Sequence, residues 1–280
     1  MNRAIAVLAL WLGFAAVALA AQPWERLPYP APTPKPVRAG YAPVNGVQLW
    51  YAEYGSGPPL ILLHGGLGNS SYWGSQVAAF AHHYRVITID SRGHGRSTRD
   101  VQAYSYDLMA SDVLALMDRL QIQKASIVGW SDGGIIGLDI AIHHSERLDK
   151  LFAFGANADP SGVREDLGHS QTFNRFIDRA GGDYRRLSKT PNDYDSFVRA
   201  IQKMWDTEPN WTAADLGSIR VPVAIADGQY DEAIKRAHTE YMARQIPGAK
   251  LILLPNVSHF AMLQNPALFN RAVLGFLRAP

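Results

Sequence analysis

A serine inside a glycine-rich pentapeptide is the first sign of chemistry in this chain. Ser131 lies in the segment 129–133, GWSDG, which fits the pattern G-x-S-x-G and is extended by Gly134. An apolar run precedes the segment and a helical pattern follows it, so we predict a strand-to-helix turn that exposes the hydroxyl. The turn is too tight for bulky neighbours, which explains the glycines. The alternative is a structural turn whose serine only caps the helix.

A serine hydroxyl is a weak nucleophile and needs a base. His259 follows the last apolar run and precedes the final predicted helix, so we expect it at the same edge of the sheet as the serine. A carboxylate must hold such a histidine in the right tautomer. Asp231 follows another apolar run and is the predicted acid. Asp227 is the alternative, but at the strand end it is expected to point along the strand.

Acyl transfer also needs donors for a developing oxyanion. A second glycine-rich segment, HGGLG at 64–68, follows a short apolar run. We assign one donor to the backbone N–H of Gly66, or of Leu67 if the turn is shifted by one residue. The other donor is the backbone N–H of Asp132, directly after the serine. His64 is expected to brace the loop.

Short apolar runs alternate with helical patterns along most of the chain. Predicted strands cover 47–54, 60–63, 85–89, 125–130, 151–155, 221–226 and 250–254, and predicted helices cover 106–120, 132–144, 232–245 and 266–277. This alternation predicts an α/β fold with a mostly parallel central sheet and helices on both faces. The carboxyl ends of the strands then form the working edge.

The interval 157–220 lacks a clear strand pattern, and we interpret it as a helical lid inserted over that edge. Its aromatic side chains could line an apolar pocket or pack the lid onto the body. They are Phe173, Phe176, Tyr194, Phe197 and Trp205.

The first 43 residues differ from the rest in composition. Residues 1–20 combine Arg3, an apolar run and a small-residue A-x-A ending, which predicts a signal peptide cleaved between Ala20 and Ala21. An uncleaved membrane anchor is the alternative. Residues 21–43 are proline-rich and are predicted to be an extended linker, or a strap on the domain surface. The domain itself is expected to cover 44–280. The protein is therefore predicted to be exported, either periplasmic or secreted.

Composition excludes several function classes. The chain of 280 residues has a formal net charge of +2 and no cysteine. It therefore has no disulfide, no thiolate metal site and no cysteine nucleophile, and no basic patch suggests nucleic acid. We predict no metal, no cofactor and no lasting membrane contact, and the sequence does not indicate an oligomeric state.

These segments, together with DSRGHGRS at 90–97, resemble the α/β-hydrolase superfamily, where the chain order Ser131, Asp231, His259 also occurs. In that superfamily the 90–97 turn is structural, its arginine and serine tying loops together. The segment 129–134 is most similar to the valacyclovir hydrolase group, and enol-lactonases and meta-cleavage-product hydrolases are close in architecture. The resemblance implies that the Asp132 side chain could bind a substrate amino group, against a role as a polar first-turn helix residue. Trp130 is a further candidate substrate contact.

One position departs from the resemblance. Gln264 stands where many relatives have glutamate, and the change is expected to weaken a contact behind the site without touching the triad.

The predicted activity is hydrolysis of a small carboxylic ester or lactone through an acyl-enzyme, because a lid implies a small enclosed pocket. The same residues would also serve a C–C bond hydrolase or a cofactor-free perhydrolase, and only the pocket distinguishes these. A haloalkane dehalogenase is disfavoured because that chemistry needs a carboxylate at the position of Ser131. A non-enzymatic ligand receptor is disfavoured because all three triad residues are present.

Overall fold

The computed structural model describes residues 21–279, which form one eight-stranded sheet surrounded by helices. The predicted signal peptide, 1–20, lies outside the described residues. The strands are β1 (Arg38–Val44), β2 (Val47–Tyr54), β3 (Pro59–Leu63), β4 (Arg85–Ile89), β5 (Ala125–Trp130), β6 (Leu148–Phe154), β7 (Val223–Gly228) and β8 (Lys250–Leu254). The helices are α1 (Gly74–Phe80), α2 (Tyr106–Arg119), α3 (Asp132–His143), α4 (Gln171–Leu187), α5 (Tyr194–Trp205), α6 (Ala213–Ser218), α7 (Arg236–Gln245), α8 (Ala261–Gln264) and α9 (Pro266–Arg278).

The strand order is β1-β2-β4-β3-β5-β6-β7-β8, and every pair from β4 onward is parallel. Only the β1–β2 and β2–β4 pairs are antiparallel. The carboxyl ends of β3, β5, β6, β7 and β8 therefore meet at one edge. Loops that follow these neighbouring strands are close in space even where the chain separates them by more than a hundred residues.

The helices lie on both faces of the sheet, as the sequence predicts. Neighbouring side chains in a strand point to opposite faces. In β6, Leu151 faces α3, where it would be 2.4 Å from a Cβ placed on Gly137. The next residue, Phe152, packs instead on Phe269 and Phe276 of α9. The core is thus divided by the sheet into two layers. Within the described residues, no helix is both long and apolar enough to cross a bilayer.

The predicted domain boundary at residue 44 is wrong. Arg38–Val44 is an edge strand, paired with β2 along its whole length through the tight turn at Asn45 and Gly46. Both turn residues have positive φ, as a two-residue hairpin requires. The proline-rich pattern ends earlier, at Pro36, and 21–37 lies on the domain surface. The strap alternative is therefore the one that the structure shows.

The interval 157–220 is helical, as expected for the lid. It contains α4, α5 and α6, the first two joined through a short 3-10 turn, and it contributes no strand to the sheet. Helix α4 begins at a capping serine, Ser170, whose side chain accepts a hydrogen bond from the N–H of Phe173. Phe176, Ala180 and Tyr184 form its buried side, at the spacing of one helical face. The lid therefore packs as an amphipathic layer over the carboxyl edge of the sheet.

Candidate active site

Ser131 occupies a strained turn between β5 and α3. Its backbone has φ 53° and ψ −121°, a conformation that costs free energy for a residue with a side chain. The turn closes so tightly that a Cβ on Gly129 would lie 2.2 Å from the carbonyl oxygen of Gly133. The N–H of Ser131 donates to the carbonyl of Phe154 at the end of β6, 2.8 Å away. The sequence-predicted strand-to-helix turn is thus present, with the serine at the N-terminus of α3.

Asp231 and His259 are brought together from the loops after β7 and β8. Oδ2 of Asp231 lies 2.8 Å from Nδ1 of His259, and both side chains are only 2% exposed. Oδ1 of the same carboxylate accepts the N–H groups of Ala233 and Ile234. This turn delays the next helix, which begins at Arg236 rather than at the predicted Glu232. Since Nδ1 faces the carboxylate, Nε2 is the nitrogen left for a reaction.

The charges of this pair support each other. Burial lowers the pKa of His259, but the charge and hydrogen bond of Asp231, with Glu232 and Asp132 nearby, outweigh it and raise that pKa above 6.5. Burial raises the pKa of Asp231, but His259 outweighs it and brings that pKa down to about 2. The carboxylate is therefore ionised at neutral pH, and the imidazole is more basic than a free one.

Gly155 makes room for His259 at the end of β6, the strand between those that carry Ser131 and Asp231. A Cβ on Gly155 would lie 2.8 Å from both Cε1 and Nδ1 of the imidazole, and the residue has φ +61°. Glycine is thus needed at this position for two reasons: the positive φ, and the space that the imidazole of His259 occupies. On the serine side, the indole of Trp130 has its centre 5.9 Å from that of His259. The imidazole therefore lies against the turn that carries the serine.

Asp227, the alternative acid, has other partners. Its Oδ2 accepts a hydrogen bond from Oγ1 of Thr239, and its Oδ1 accepts one from the N–H of Gly228. Burial, and then the nearby charge of Asp231, raise its pKa well above the usual value. It lies within β7, behind Asp231, and of the two aspartates it is Asp231 that hydrogen-bonds the ring of His259.

The predicted oxyanion-hole residues lie around the serine. A Cβ on Gly65 would be 3.1 Å from Cβ of Ser131, and one on Gly66 would be 2.7 Å from Oδ2 of Asp132. Leu67 has φ 60° and lines the cavity beside Ser131. Asp132 is the first residue of α3, so its N–H has no acceptor within the helix. Gly66, Leu67 and Asp132 are thus all adjacent to the reacting position.

The side chain of Asp132 is tied to the lid. Both carboxylate oxygens lie 3.0 Å from Nε1 of Trp205 on α5, and Oδ1 also accepts from the hydroxyl of Tyr106. Burial raises the pKa of Asp132 to about 6, although these two donors partly oppose the rise. An indole and a phenol therefore occupy this carboxylate, and its predicted contact with a substrate amino group stays a prediction.

The predicted substrate contact of Trp130 is wrong. Its side chain is 1% exposed and packs among Tyr72, Phe176 and Phe260. It is not among the residues that line the cavity. The strand places its indole beneath the lid, where it supports the imidazole of His259 from the side.

A cavity of about 640 Å³ opens beside Ser131. The body contributes Leu67 and Asp132 to its wall, and the lid contributes Phe173, Ile177 and Trp205. The aromatic lid residues therefore divide into two groups. Phe173 and Trp205 face the cavity, whereas the remaining three pack the lid: Phe176, Tyr194 and Phe197. The result is a largely apolar chamber with the serine in its wall.

The loops behind the site are braced as predicted. Nδ1 of His64 lies 2.8 Å from the carbonyl of Gly65, and Nε2 accepts the N–H of Ser91, so the ring is neutral. Burial, the largest influence, lowers its pKa. Arg92 is buried and pairs with Asp112 at 2.7 Å. These contacts confirm the structural roles of the histidine and of the 90–97 turn.

The sequence did not predict the contacts that four neighbouring residues make with the site. Glu232 accepts the backbone N–H of His259, Tyr106 and Trp205 bind Asp132, and Gly155 makes space for the imidazole. Only two had a local signal, since Glu232 adjoins Asp231 and Gly155 ends a predicted strand. Within residues 21–279, no cluster of three histidine or acidic side chains could hold a metal ion.

The arrangement agrees with comparisons to known proteins. The sequence profile of the Alpha/beta hydrolase family matches residues 60–272. The chain belongs to this family. It is 29% identical to the human serine hydrolase BPHL, across 84% of each chain. It is likewise 29% identical to 3-oxoadipate enol-lactonase 2 of Acinetobacter baylyi, covering 81% of this chain and 92% of the relative.

Solved structures give the same result. A meta-cleavage product hydrolase from Pseudomonas fluorescens IP01 superposes with a TM-score of 0.73 at 25% identity, over 83% of this chain and 94% of that one. The α/β-hydrolase resemblance and the predicted fold class are thus confirmed, and the named relatives support a hydrolase that acts on a small molecule.

Proposed function

We propose that this α/β hydrolase cleaves a small carboxylic ester or lactone through an acyl-enzyme, with Ser131 as nucleophile, His259 as base and Asp231 as the orienting acid. The observation that carries the proposal is the buried 2.8 Å contact between Asp231 and His259, at the sheet edge where Ser131 sits in its strained turn. Such strain persists where the surroundings enforce it, and it concentrates at functional sites.

The reaction proceeds in two halves. The hydroxyl oxygen of Ser131 attacks the carbonyl carbon while Nε2 of His259 takes the hydroxyl proton. The tetrahedral intermediate collapses, the C–O bond to the leaving alcohol breaks, and the alcohol oxygen receives the proton from His259. Water then attacks the acyl-enzyme by the same route and releases the acid. Asp231 stays ionised throughout and stabilises the imidazolium, consistent with its lowered pKa.

The negative charge on the carbonyl oxygen needs donors in place before the reaction. In this proposal the N–H of Asp132 and that of Gly66 or Leu67 supply them, reinforced by the positive end of α3. Loss of one such donor costs about 3 kcal/mol of transition-state stabilisation in other serine hydrolases.

The chamber favours a small, mainly apolar acyl group. Its volume of about 640 Å³ is in the range of small-molecule sites, and the lid contributes the apolar side chains of Phe173, Ile177 and Val198 to its wall beside polar ones. The named relatives include an enol-lactonase, which supports the choice of an ester or lactone. A polypeptide substrate would have to be threaded beneath the lid.

The test is a pair of variants assayed with short p-nitrophenyl esters and simple lactones. Ser131→Ala is expected to lower kcat by at least about 10³-fold, while its circular dichroism spectrum stays the same as that of the folded wild type. The control is Ser196→Ala, which removes an exposed lid hydroxyl that hydrogen-bonds Arg99, and it should keep wild-type turnover. Equal turnover by Ser131→Ala and the wild type would end the proposal. Turnover of dienoic diketones in preference to esters would instead support C–C hydrolysis by the same residues.

We also propose that the protein is exported. The sequence of residues 1–20 supports a cleaved signal peptide. N-terminal sequencing of protein recovered from the periplasm or medium should begin at Ala21. Recovery of an intact chain in the membrane fraction would favour the anchor instead.

A further inference from the structure

Residues 21–37, here called the N-terminal strap, hold the lid through backbone carbonyls. Arg179 on α4 donates from Nη1 to the carbonyl of Pro28 and from Nη2 to that of Leu27, both at 2.7 Å. Thr172, the second residue of the same helix, donates to the carbonyl of Glu25 at 2.9 Å. The same helix supplies Phe173 to the wall of the cavity. The strap is therefore attached directly to a wall of the chamber.

The strap is also attached to the loop that carries His259. Nε2 of Gln264 donates to the carbonyls of Trp24 and Arg26, at 3.0 and 2.9 Å. Oε1 of the same side chain accepts the N–H of Ser258 at 2.7 Å. Ser258 directly precedes His259 in the chain. A single amide thus joins the strap to the base loop, and the expectation that glutamine weakens a contact here stays a prediction.

A third attachment reaches the loop of Asp231. The indole of Trp24 stacks on the ring of Tyr230, with centres 3.8 Å apart and planes at 14°. Tyr230 directly precedes Asp231. The strap therefore contacts the lid, the base loop and the acid loop within a few residues of its own length.

We propose that the strap sets the position of the lid relative to the catalytic loops, with Gln264 as the positioning residue that links it to His259. This inference rests on the proposed function of the site. After the short 3-10 turn at Pro23–Glu25 the strap is extended, a conformation without internal hydrogen bonds, so its carbonyls are available to side chains. Its stiffness lowers the entropy lost when it is held in one conformation. It is thus suited to act as a fixed spacer between α4 and the loops.

Two consequences separate this role from general stabilisation. Releasing the strap loosens a wall of the substrate chamber, so KM rises while kcat changes little. Releasing the loop of His259 disturbs the base, so kcat falls. Gln264 serves both attachments, and different substitutions there remove one or both.

The decisive experiment is a double-mutant cycle between the two sides of the strap, in the full mature chain. Arg179→Ala removes two hydrogen bonds between the strap and the lid, and Gln264→Glu removes the amide donors to the strap while keeping an acceptor for Ser258. Each is expected to raise KM about fivefold, the effect of one or two lost hydrogen bonds, with kcat within about twofold. Kinetics are measured on the alkaline plateau, where the added charge does not protonate His259. The double variant should show little further increase, because either change alone breaks the connection that the strap makes between α4 and the loop of His259.

Gln264→Ala completes the comparison, since it also removes the acceptor for the N–H of Ser258. Its KM should match that of Gln264→Glu, and its kcat should be lower by about a further fivefold. Equal kcat values for the two Gln264 variants would show that the side chain does not position the base loop.

An independent variant displaces the strap without deleting a hydrogen bond. A Cβ on Gly74, at the start of α1, would lie 1.8 Å from the carbonyl oxygen of Ala31. Gly74→Ala should therefore raise KM and also speed trypsin cleavage after Arg26, followed by mass spectrometry. The matched control is Gly275→Ala in α9, where nothing lies within 4 Å of the added methyl group. Gly275→Ala should change neither KM nor the rate of trypsin cleavage after Arg26.

The outcomes discriminate between the two levels of the proposal. KM increases that add fully in the double variant, or unchanged KM in both single variants, would overturn the role of the strap. Activity that survives Ser131→Ala would overturn the proposed function instead, and the cleavage rates after Arg26 would still report on the strap.

Discussion

The substitution Gly155→Ala tests whether His259 must reach across the end of β6. The added Cβ would lie 2.8 Å from two ring atoms of His259, whereas ordinary carbon contacts are about 3.5 Å, so the ring must move by about 0.7 Å. Misplacement of a catalytic group by about 1 Å costs on the order of 100-fold in rate. We therefore expect kcat/KM to fall by about 10- to 100-fold. The positive φ of +61° adds a folding penalty of about 1–2 kcal/mol.

The control for this variant is Gly248→Ala. Gly248 also has a positive φ, +71°, but nothing lies within 4 Å of a Cβ placed there. It should lose about 1–2 kcal/mol of stability in urea unfolding, as Gly155→Ala does, and keep wild-type kcat/KM with p-nitrophenyl esters. If both alanine variants kept full activity, or lost it equally, the reasoning about the space around His259 would be refuted.

Three further predictions concern charge. Because the pKa of His259 is raised above 6.5, largely by Asp231, the acid limb of log kcat/KM against pH should have its midpoint above 6.5, and a midpoint at or below 6 would contradict this. Asp227→Asn should keep activity, and its free energy of unfolding should increase relative to that of the wild type as pH rises from about 4 to 7. The reason is that folded Asp227, whose pKa is raised, retains a proton that the unfolded chain releases. Urea unfolding at several pH values checks this, and a difference in unfolding free energy that does not change with pH would refute it. Asp112→Ala removes the two short contacts of the buried Arg92 and leaves it only the longer pair with Asp100 at 3.3 Å, so it should cost about 3 kcal/mol in the same assay, with kcat unchanged below the unfolding transition.

The sequence predicted the sheet well because its strands are buried on both faces and appear as short, continuous apolar runs. β5, for example, has the same bounds in prediction and structure, Ala125–Trp130. Loops that follow such strands must meet at one edge, which is why Asp231 and His259 could be predicted to lie together. Errors occurred at element ends, where a side chain captures backbone groups. The carboxylate of Asp231, which accepts two N–H groups and delays α7 to Arg236, is such a case.

A strap could be named as an alternative from the sequence, but the contacts that the strap and the lid make could not be predicted, since no repeating pattern marks the residues that form them. The strap is held by Arg179, which looks like an ordinary surface residue in the sequence, and by Gln264, whose sequence position gives no indication of this partner. Trp205 reaches Asp132 across 73 positions of the chain through a single indole N–H. Such contacts are determined by tertiary packing, and no local spacing indicates them.

The most direct test of the central claim is mass spectrometry of the protein after reaction with a fluorophosphonate. The account predicts one adduct per chain, on the hydroxyl of Ser131, formed much more slowly in His259→Ala and absent in Ser131→Ala. An adduct on a different residue, or none while the enzyme still turns over esters, would contradict it.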